Sequence, residues 1–330
     1  MVTYNLKIQM NILLLAPTYQ DLYKPIIEEL EKIGHHVTFI EDIVLPYSFL
    51  YKNKKTWKKR VYEKIFTVGK VPERYWEKMI AKSPLLNQFY EVLFCINGAS
   101  FHPFLLKHLQ RYNPNIRTSL YIWDTCRYFD FMYQKRECFD KIYTFDYKDS
   151  LEQNINYLPF YWCPLEIKEK ETKYAISIVG SDHDGRYNIV KKIAKQLRTQ
   201  NIPFCFRIVV SPNKISKYQD TEIVTTQKLS LQETLSIMMV SECVLDTDRE
   251  SQTGTTPRLI WALALGKKVI TTNTNIKELP LYTPKQIQII DRKSPIIDFD
   301  FIKRNVDKHE ITATEYVKQL CITEWIQNFL

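Results

Sequence analysis

The stretch Asp246 to Arg258 (DTDRESQTGTTPR) gathers small and hydroxyl side chains around one glycine, directly before an amphipathic helical pattern that runs to Leu265. A loop of this kind ends at a helix N-terminus, where backbone N–H groups lack intrahelical acceptors and the helix dipole is positive. Both properties suit a pyrophosphate. Pro257 is favourable in the first turn, and Arg258 adds a charge-assisted contact to the same anion. The same residues equally suit a well-capped ordinary helix, and their spacing leaves both readings open.

Other residues have spacings associated with chemistry. Asp124 closes a strand-like run, a position from which a carboxylate serves as general base without a long arm, or caps the following segment. Asp146 reads as a helix cap. Arg186 either neutralises a phosphate leaving group or is a surface arginine at the start of its helix. Asp246/Asp248 and Asp182/Asp184 have the Asp-x-Asp spacing of metal-dependent transferases but read as loop capping, and no obligate divalent ion is expected. The six histidines show no ligand spacing, so no zinc site is assigned; His183 lies near the phosphate-type loop.

These groups must be positioned by an alternation of strands and helices. The first half reads as strand Ile12 to Ala16, helix from about Gln20 to Ile33, strand His36 to Ile40, strand Glu91 to Ile96, helix Pro103 to Arg111, strand Thr118 to Trp123 and strand Lys141 to Phe145. After a polar linker, Glu166 to Lys173, a second series begins at Tyr174 to Val179. It continues with helix Arg186 to Thr199, strands Cys205 to Val210 and Glu222 to Thr225, helix Leu231 to Val240, strand Cys243 to Leu245, helix Pro257 to Leu265 and strand Lys268 to Thr271. A helix is expected over 312–330. Short, nearly continuous apolar strands separated by helices predict α/β architecture with two Rossmann-like, doubly wound parallel-sheet domains, 1–165 and 166–330. Ligands of such sheets sit outside the carboxyl ends of the strands. That rule selects Pro17, Thr18, Asn97, Gly98, Asp124 and Asp146 in the first half. In the second it selects Gly180, Ser181, Arg186, Ser211, Gln227 and the run Gln252, Thr253, Gly254, Thr255 to Arg258.

Size and composition agree: 330 residues exceed one ordinary core, and 25% charged with 45% hydrophobic residues is a globular balance that excludes dominant disorder. No apolar run approaches the roughly 20 residues of a spanning helix, and no signal-peptide core follows Met1, so a cytoplasmic location is expected. The seven cysteines lack zinc or redox spacing and read as free thiols in a reducing compartment. The net charge of +9 is concentrated in residues 51–82, with eleven Lys/Arg against three acids. The aromatic residues interleaved there (Tyr51, Trp57, Tyr62, Phe66, Tyr75, Trp76) suit an anionic bilayer surface; a solvated basic face is the alternative. No nucleic-acid-binding module accompanies the charge.

The run QTGTTPRLIWALALGKKVITTN (252–273) resembles the donor-site segment of bacterial lipopolysaccharide-core and capsule glycosyltransferases of the GT-B fold. Tyr174 to Arg186, Leu120 to Thr125, Phe139 to Asp146 and Tyr157 to Tyr161 match in kind and in order, over much of residues 90–275. The resemblance implies transfer of a sugar from a nucleotide-sugar donor, bound as substrate with no further cofactor, to a cell-surface glycan acceptor in a cleft between the domains. Residues 1–165 would then be the acceptor side and 166–330 the donor domain. Relatives commonly carry glutamate, holding donor hydroxyls, where this chain has Trp261, which cannot accept those hydrogen bonds. A nucleotide-sugar epimerase or polymer phosphotransferase on the same plan, and a non-catalytic nucleotide- or glycan-binding protein, are the alternatives.

Overall fold

The computed structural model describes residues 9–42, 70–124, 135–164, 171–250, 252–304 and 315–330. Residues 51–69 of the basic segment, Cys126 and positions 312–314 of the expected terminal helix lie outside the described residues.

The chain forms two compact units. In the first, β1 (Asn11–Ala16), α1 (Lys24–Lys32), β2 (His36–Glu41), α2 (Lys70–Lys82), β3 (Val92–Ile96), α3 (Pro103–Leu109), β4 (Arg117–Ile122), β5 (Lys141–Thr144), α4 (Tyr147–Gln153) and β6 (Asn156–Tyr157) follow in order. Their sheet runs β2-β1-β3-β4-β5-β6 and is parallel throughout. Its order therefore reverses between β1 and β3. β1 and β3 are apolar on both faces and buried, as central parallel strands covered by helices require.

The second unit holds β7 (Tyr174–Ser181), α5 (Arg186–Thr199), β8 (Phe204–Val209), β9 (Val224–Thr225), α6 (Leu231–Met239), β10 (Ser241–Asp246), α7 (Pro257–Ala264), β11 (Lys268–Thr271), β12 (Ile287–Ile289), α8 (Phe299–Lys303), α9 (Glu315–Gln319) and α10 (Ile322–Trp325). The parallel order β12-β11-β10-β7-β8-β9 is that of a dinucleotide-type sheet and reverses between β7 and β10. Its core packs Ile176, Ile178, Val190, Ile193, Leu197, Phe206 and Ile208 between the sheet and α5.

Two expectations change. The first helix begins at Lys24 rather than near Gln20, because Gln20 and Asp21 adopt left-handed φ (51° and 58°) and Pro25 lies in the first turn. The terminal helix is interrupted: Trp162 donates its N–H to Leu320 O and accepts from Ile322 N, so the backbone groups that would continue a helix there are spent on a bridge. By contact the second unit comprises Asp146–Lys148 and Pro159–Trp325, and Ile326–Leu330 belong to the first. There the Phe329 ring stacks on Phe94 at 4.2 Å and meets Tyr143 at 5.2 Å and Tyr121 at 5.9 Å. Cys95, Cys205 and Cys243 are buried free thiols; Cys138, Cys163 and Cys321 are half-buried. No helix among the described residues is long and apolar enough to cross a membrane.

Phe329 is 1% exposed, so Phe329→Ala should destabilise the protein by about 3–5 kcal/mol through the cavity it leaves. Urea denaturation measures this, and a loss below about 1 kcal/mol would show that the tail is dispensable to the first core.

Candidate functional site

In the second unit the reversal of strand order brings the end of β7 (Gly180, Ser181) beside the end of β10 (Asp246, Thr247). Asp246 is fully buried. Its Oδ1 accepts from the N-cap hydroxyl of Thr256 (2.6 Å) and from Arg258 Nη1 (2.8 Å), and its Oδ2 from Thr271 Oγ1 (3.1 Å). Arg258 also donates from Nε to Val179 O at 3.0 Å, which lays its guanidinium across the end of β7. A methyl group on Gly180 would lie 2.7 Å from Arg258 Nη2 and 3.2 Å from Arg186 Nη1. A Cβ there would displace the end of the Arg258 guanidinium from its present place.

Arg186 is not a surface residue. It is 7% exposed, and donates from Nε to Thr247 Oγ1 at 2.6 Å, from Nη2 to Thr247 O at 2.9 Å and from Nη1 to Ser181 O. Its partner Thr247 lies 61 residues downstream, a relation that local sequence does not display. His183, exposed on the loop between β7 and α5, has its pKa lowered from the usual imidazole value, first by partial desolvation of the ring and then by Arg249 and Arg186.

In the loop before α7 the backbone amides are satisfied within the chain, by a side-chain carboxyl. Thr253 N (2.7 Å) and Gly254 N (3.0 Å) donate to Asp146 Oδ2, while Thr253 Oγ1 donates to Asp146 Oδ1. Asp146 Oδ1 also accepts from Lys148 N at 3.1 Å, the capping contact expected of it. Asn273 Nδ2 fixes the loop by donating to Gly254 O at 3.0 Å. Thr255 Oγ1 is buried without a hydrogen-bond partner. Gln252, half-buried, donates its backbone N–H to Arg249 O. Ser211 and Gln227 are exposed beyond β8 and β9, outward from the reversal, and make no hydrogen bond to either arginine.

The Asp-x-Asp carboxylates face arginines: Asp246 faces Arg258, and Asp248 lies 2.7 Å from Arg292 Nη2. Burial pushes the Asp248 carboxyl up, against the Thr272 hydrogen bond. Asp182 accepts from Tyr187 N (3.0 Å) and Tyr218 OH (2.7 Å). Among the described residues no three His, Cys, Asp or Glu side chains are grouped to hold a metal ion.

Trp261 is 8% exposed, and its Nε1 donates to Tyr161 O at 3.0 Å. With Trp162, Leu231, Leu235, Ala264 and Leu265 it lines a cavity of about 240 Å³. The cavity lies toward the C-terminal end of α7, where Trp261, Ala264 and Leu265 line it, about two turns from Arg258.

In the first unit the reversal between β1 and β3 is bordered by Thr18 and by Asn97-Gly98. Asn97 and Gly98 both take left-handed φ (59° and 62°). Asn97 accepts from Trp123 N at 3.0 Å and donates to Asp124 Oδ2 at 3.3 Å, which places Asp124, half-buried, beside the Asn97 turn. Exposed Thr18 donates to Glu41 at 2.7 Å instead. Sequence reasoning missed Asp42, which is 4% exposed and accepts from Ala99 N (2.6 Å), Ser100 N (2.7 Å) and Ser100 Oγ (2.7 Å). Burial raises its pKa more than those bonds lower it. Its position directly after a strand was the available signal.

No family model and no curated protein matches the chain. Solved structures do. The structure of Arabidopsis thaliana UGT89C1 complexed with UDP-L-rhamnose is 6% identical, with 97% of this chain and 98% of that chain covered and a TM-score of 0.55. Sucrose-phosphate synthase from Thermosynechococcus elongatus is 10% identical over 97% of this chain and 95% of that chain, with a TM-score of 0.48. The glycotransferase of kitacinnamycin is 9% identical over 98% and 96%, at 0.44. Two six-stranded parallel sheets in this order give the chain the GT-B fold.

Because Asp246 is buried and paired, Arg258→Ala should cost about 3–5 kcal/mol of stability, well beyond a lost ligand contact. Adding Asp246→Asn removes the stranded charge, so the double variant should be more stable than the sum of the single effects predicts, by at least about 1 kcal/mol in a double-mutant cycle. Additive losses would show that the pair is not coupled.

Proposed function

We propose that the chain is a glycosyltransferase, binding a nucleotide-sugar through its diphosphate at the β7/β10 edge and transferring the sugar to a hydroxyl of a cell-surface glycan such as lipopolysaccharide or capsule. The observation that carries this reading is the convergence of the Arg186 and Arg258 guanidinium groups over Gly180, at the carboxyl edge where doubly wound sheets receive their ligands. Two fixed guanidinium groups stabilise the negative charge that develops on a departing nucleoside diphosphate without a divalent ion. Ser181 and the loop from Gln252 to Thr255 border that position. The cavity beside Trp261 supports stacking of the nucleobase: both indole N–H groups are spent on backbone carbonyls (Tyr161 O at 3.0 Å, Val317 O at 2.6 Å), and no acidic side chain lines the space. A base would be held there by π and aliphatic contact.

For an inverting reaction, Asp124 takes the proton of the attacking hydroxyl. Its orientation by Asn97 supports that role.

Thermal-shift titration with UDP-, GDP-, CMP- and dTDP-sugars, with magnesium or with chelator, tests the donor assignment. A ligand at about 100 times its Kd adds about 2.7 kcal/mol of stability. One nucleotide class should stabilise equally with chelator present. No response to any of them would sink the reading, and binding without transfer or hydrolysis would leave a nucleotide-binding protein. With an active donor pair, Asp124→Asn should lower turnover by about 10²–10⁴-fold with donor affinity unchanged; an unaltered rate removes Asp124 from the chemistry. A phosphate arriving near His183 favours the imidazolium, so its NMR-measured pKa should rise when the nucleoside diphosphate binds. A static His183 pKa would place the phosphates elsewhere.

A further inference from the structure

Away from the strand ends, the first unit exposes large apolar side chains together. The turn between α2 and β3 leaves Leu85 and Phe89 49% and 48% exposed, and Tyr112, just past α3, is 41% exposed. They surround one hub. Asn87 Oδ1 accepts from Tyr112 OH (3.3 Å) and His108 Nε2 (3.1 Å), while its Nδ2 donates to Ile80 O and Ser83 O (both 3.4 Å). Tyr90 OH donates to Leu85 O at 2.6 Å. The apolar group therefore stands on a hydrogen-bonded frame anchored to both helices.

Its rim is cationic. Arg74, Lys78 and Lys82 recur every fourth residue of α2 and form one exposed stripe. Exposed Lys107 and Arg111 flank Tyr112 from the α3 side. Glu73 and Glu77 lie on the neighbouring stripe of α2. The opposite face of α2 is committed to the core: Trp76 is fully buried and donates Nε1 to Ser100 O at 2.7 Å. In sequence, the chain entering α2 carries seven more bases between Lys52 and Lys64.

We propose that this face, with Leu85, Phe89 and Tyr112 at its centre and Lys78, Lys82 and Arg111 at its rim, docks onto an anionic phospholipid bilayer. The occupant is argued from charge complementarity and from the side-chain types. Leucine and aromatic rings enter the boundary between headgroups and acyl chains, while the long Lys and Arg stems keep their charges among anionic headgroups. The apolar group is compact and is bordered by cations, so it suits a fluid surface better than a shape-matched protein interface, whose buried core is depleted of charge. The inference stands independently of the nucleotide-sugar reading.

Co-sedimentation of the full chain with phosphatidylcholine vesicles, with and without phosphatidylglycerol, tests it. The wild type should bind only the anionic vesicles. Leu85→Ser with Phe89→Ser, which leaves every charge in place, should weaken that binding about tenfold or more, since each buried methylene contributes to the partition energy. Both sites are exposed, so the melting temperature should be unchanged. Lys82→Glu with Arg111→Glu should weaken binding and flatten its loss with salt. Three results would overturn the proposal: undiminished binding by the Leu85/Phe89 variant, equal binding to neutral vesicles, or a preference for RNA that the apolar substitutions leave intact.

Discussion

A carboxylate with no access to water organises the second unit. Asp246 ends the strand at which the sheet order reverses, and removing it from solvent costs several kcal/mol unless its oxygens are satisfied. The satisfaction comes from three directions: the N-cap of α7, its first-turn arginine and the last residue of β11. The start of the helix, the ends of two strands and the guanidinium lying over Gly180 are thereby fixed by one charge. The close approach of the Arg258 guanidinium to Gly180 follows from that charge.

The same device recurs at other strand ends in simpler forms. Asp42 follows β2 and binds the amides of Ala99 and Ser100; Asp146 follows β5 and binds the amides of Thr253 and Gly254. Each carboxylate satisfies a loop that would otherwise carry unpaired N–H groups. The edges of the strands are therefore held by charge-assisted bonds, whereas their middles are held by apolar packing.

The strands were legible because buried parallel strands are short apolar runs, and β1, β3 and β7 are of this kind. The capped loop before α7 was also legible, from the hydroxyl residues and Pro257. The occupant of its amides was not, since Asp146 lies 107 residues away in sequence and only the tertiary fold brings it there. For Arg186 the sequence left a surface position open for the same reason. Position on a helix gives the direction of the backbone, but a long side chain goes where its acceptors are, and Thr247 is supplied by another strand. The terminal helix failed on a competing backbone interaction at Trp162 that periodicity does not encode.

The return of Ile326–Leu330 to the first unit bears on how such a molecule can be cut or recombined. Neither unit is a continuous stretch of the gene. A fragment ending at the last residue of the first crossing would lack Phe329 and leave Phe94, Tyr121 and Tyr143 facing an open socket. Exchange of the second half with that of another protein would have to bring a compatible tail, so these few terminal residues restrict modular inheritance in a chain that otherwise reads as two separable halves.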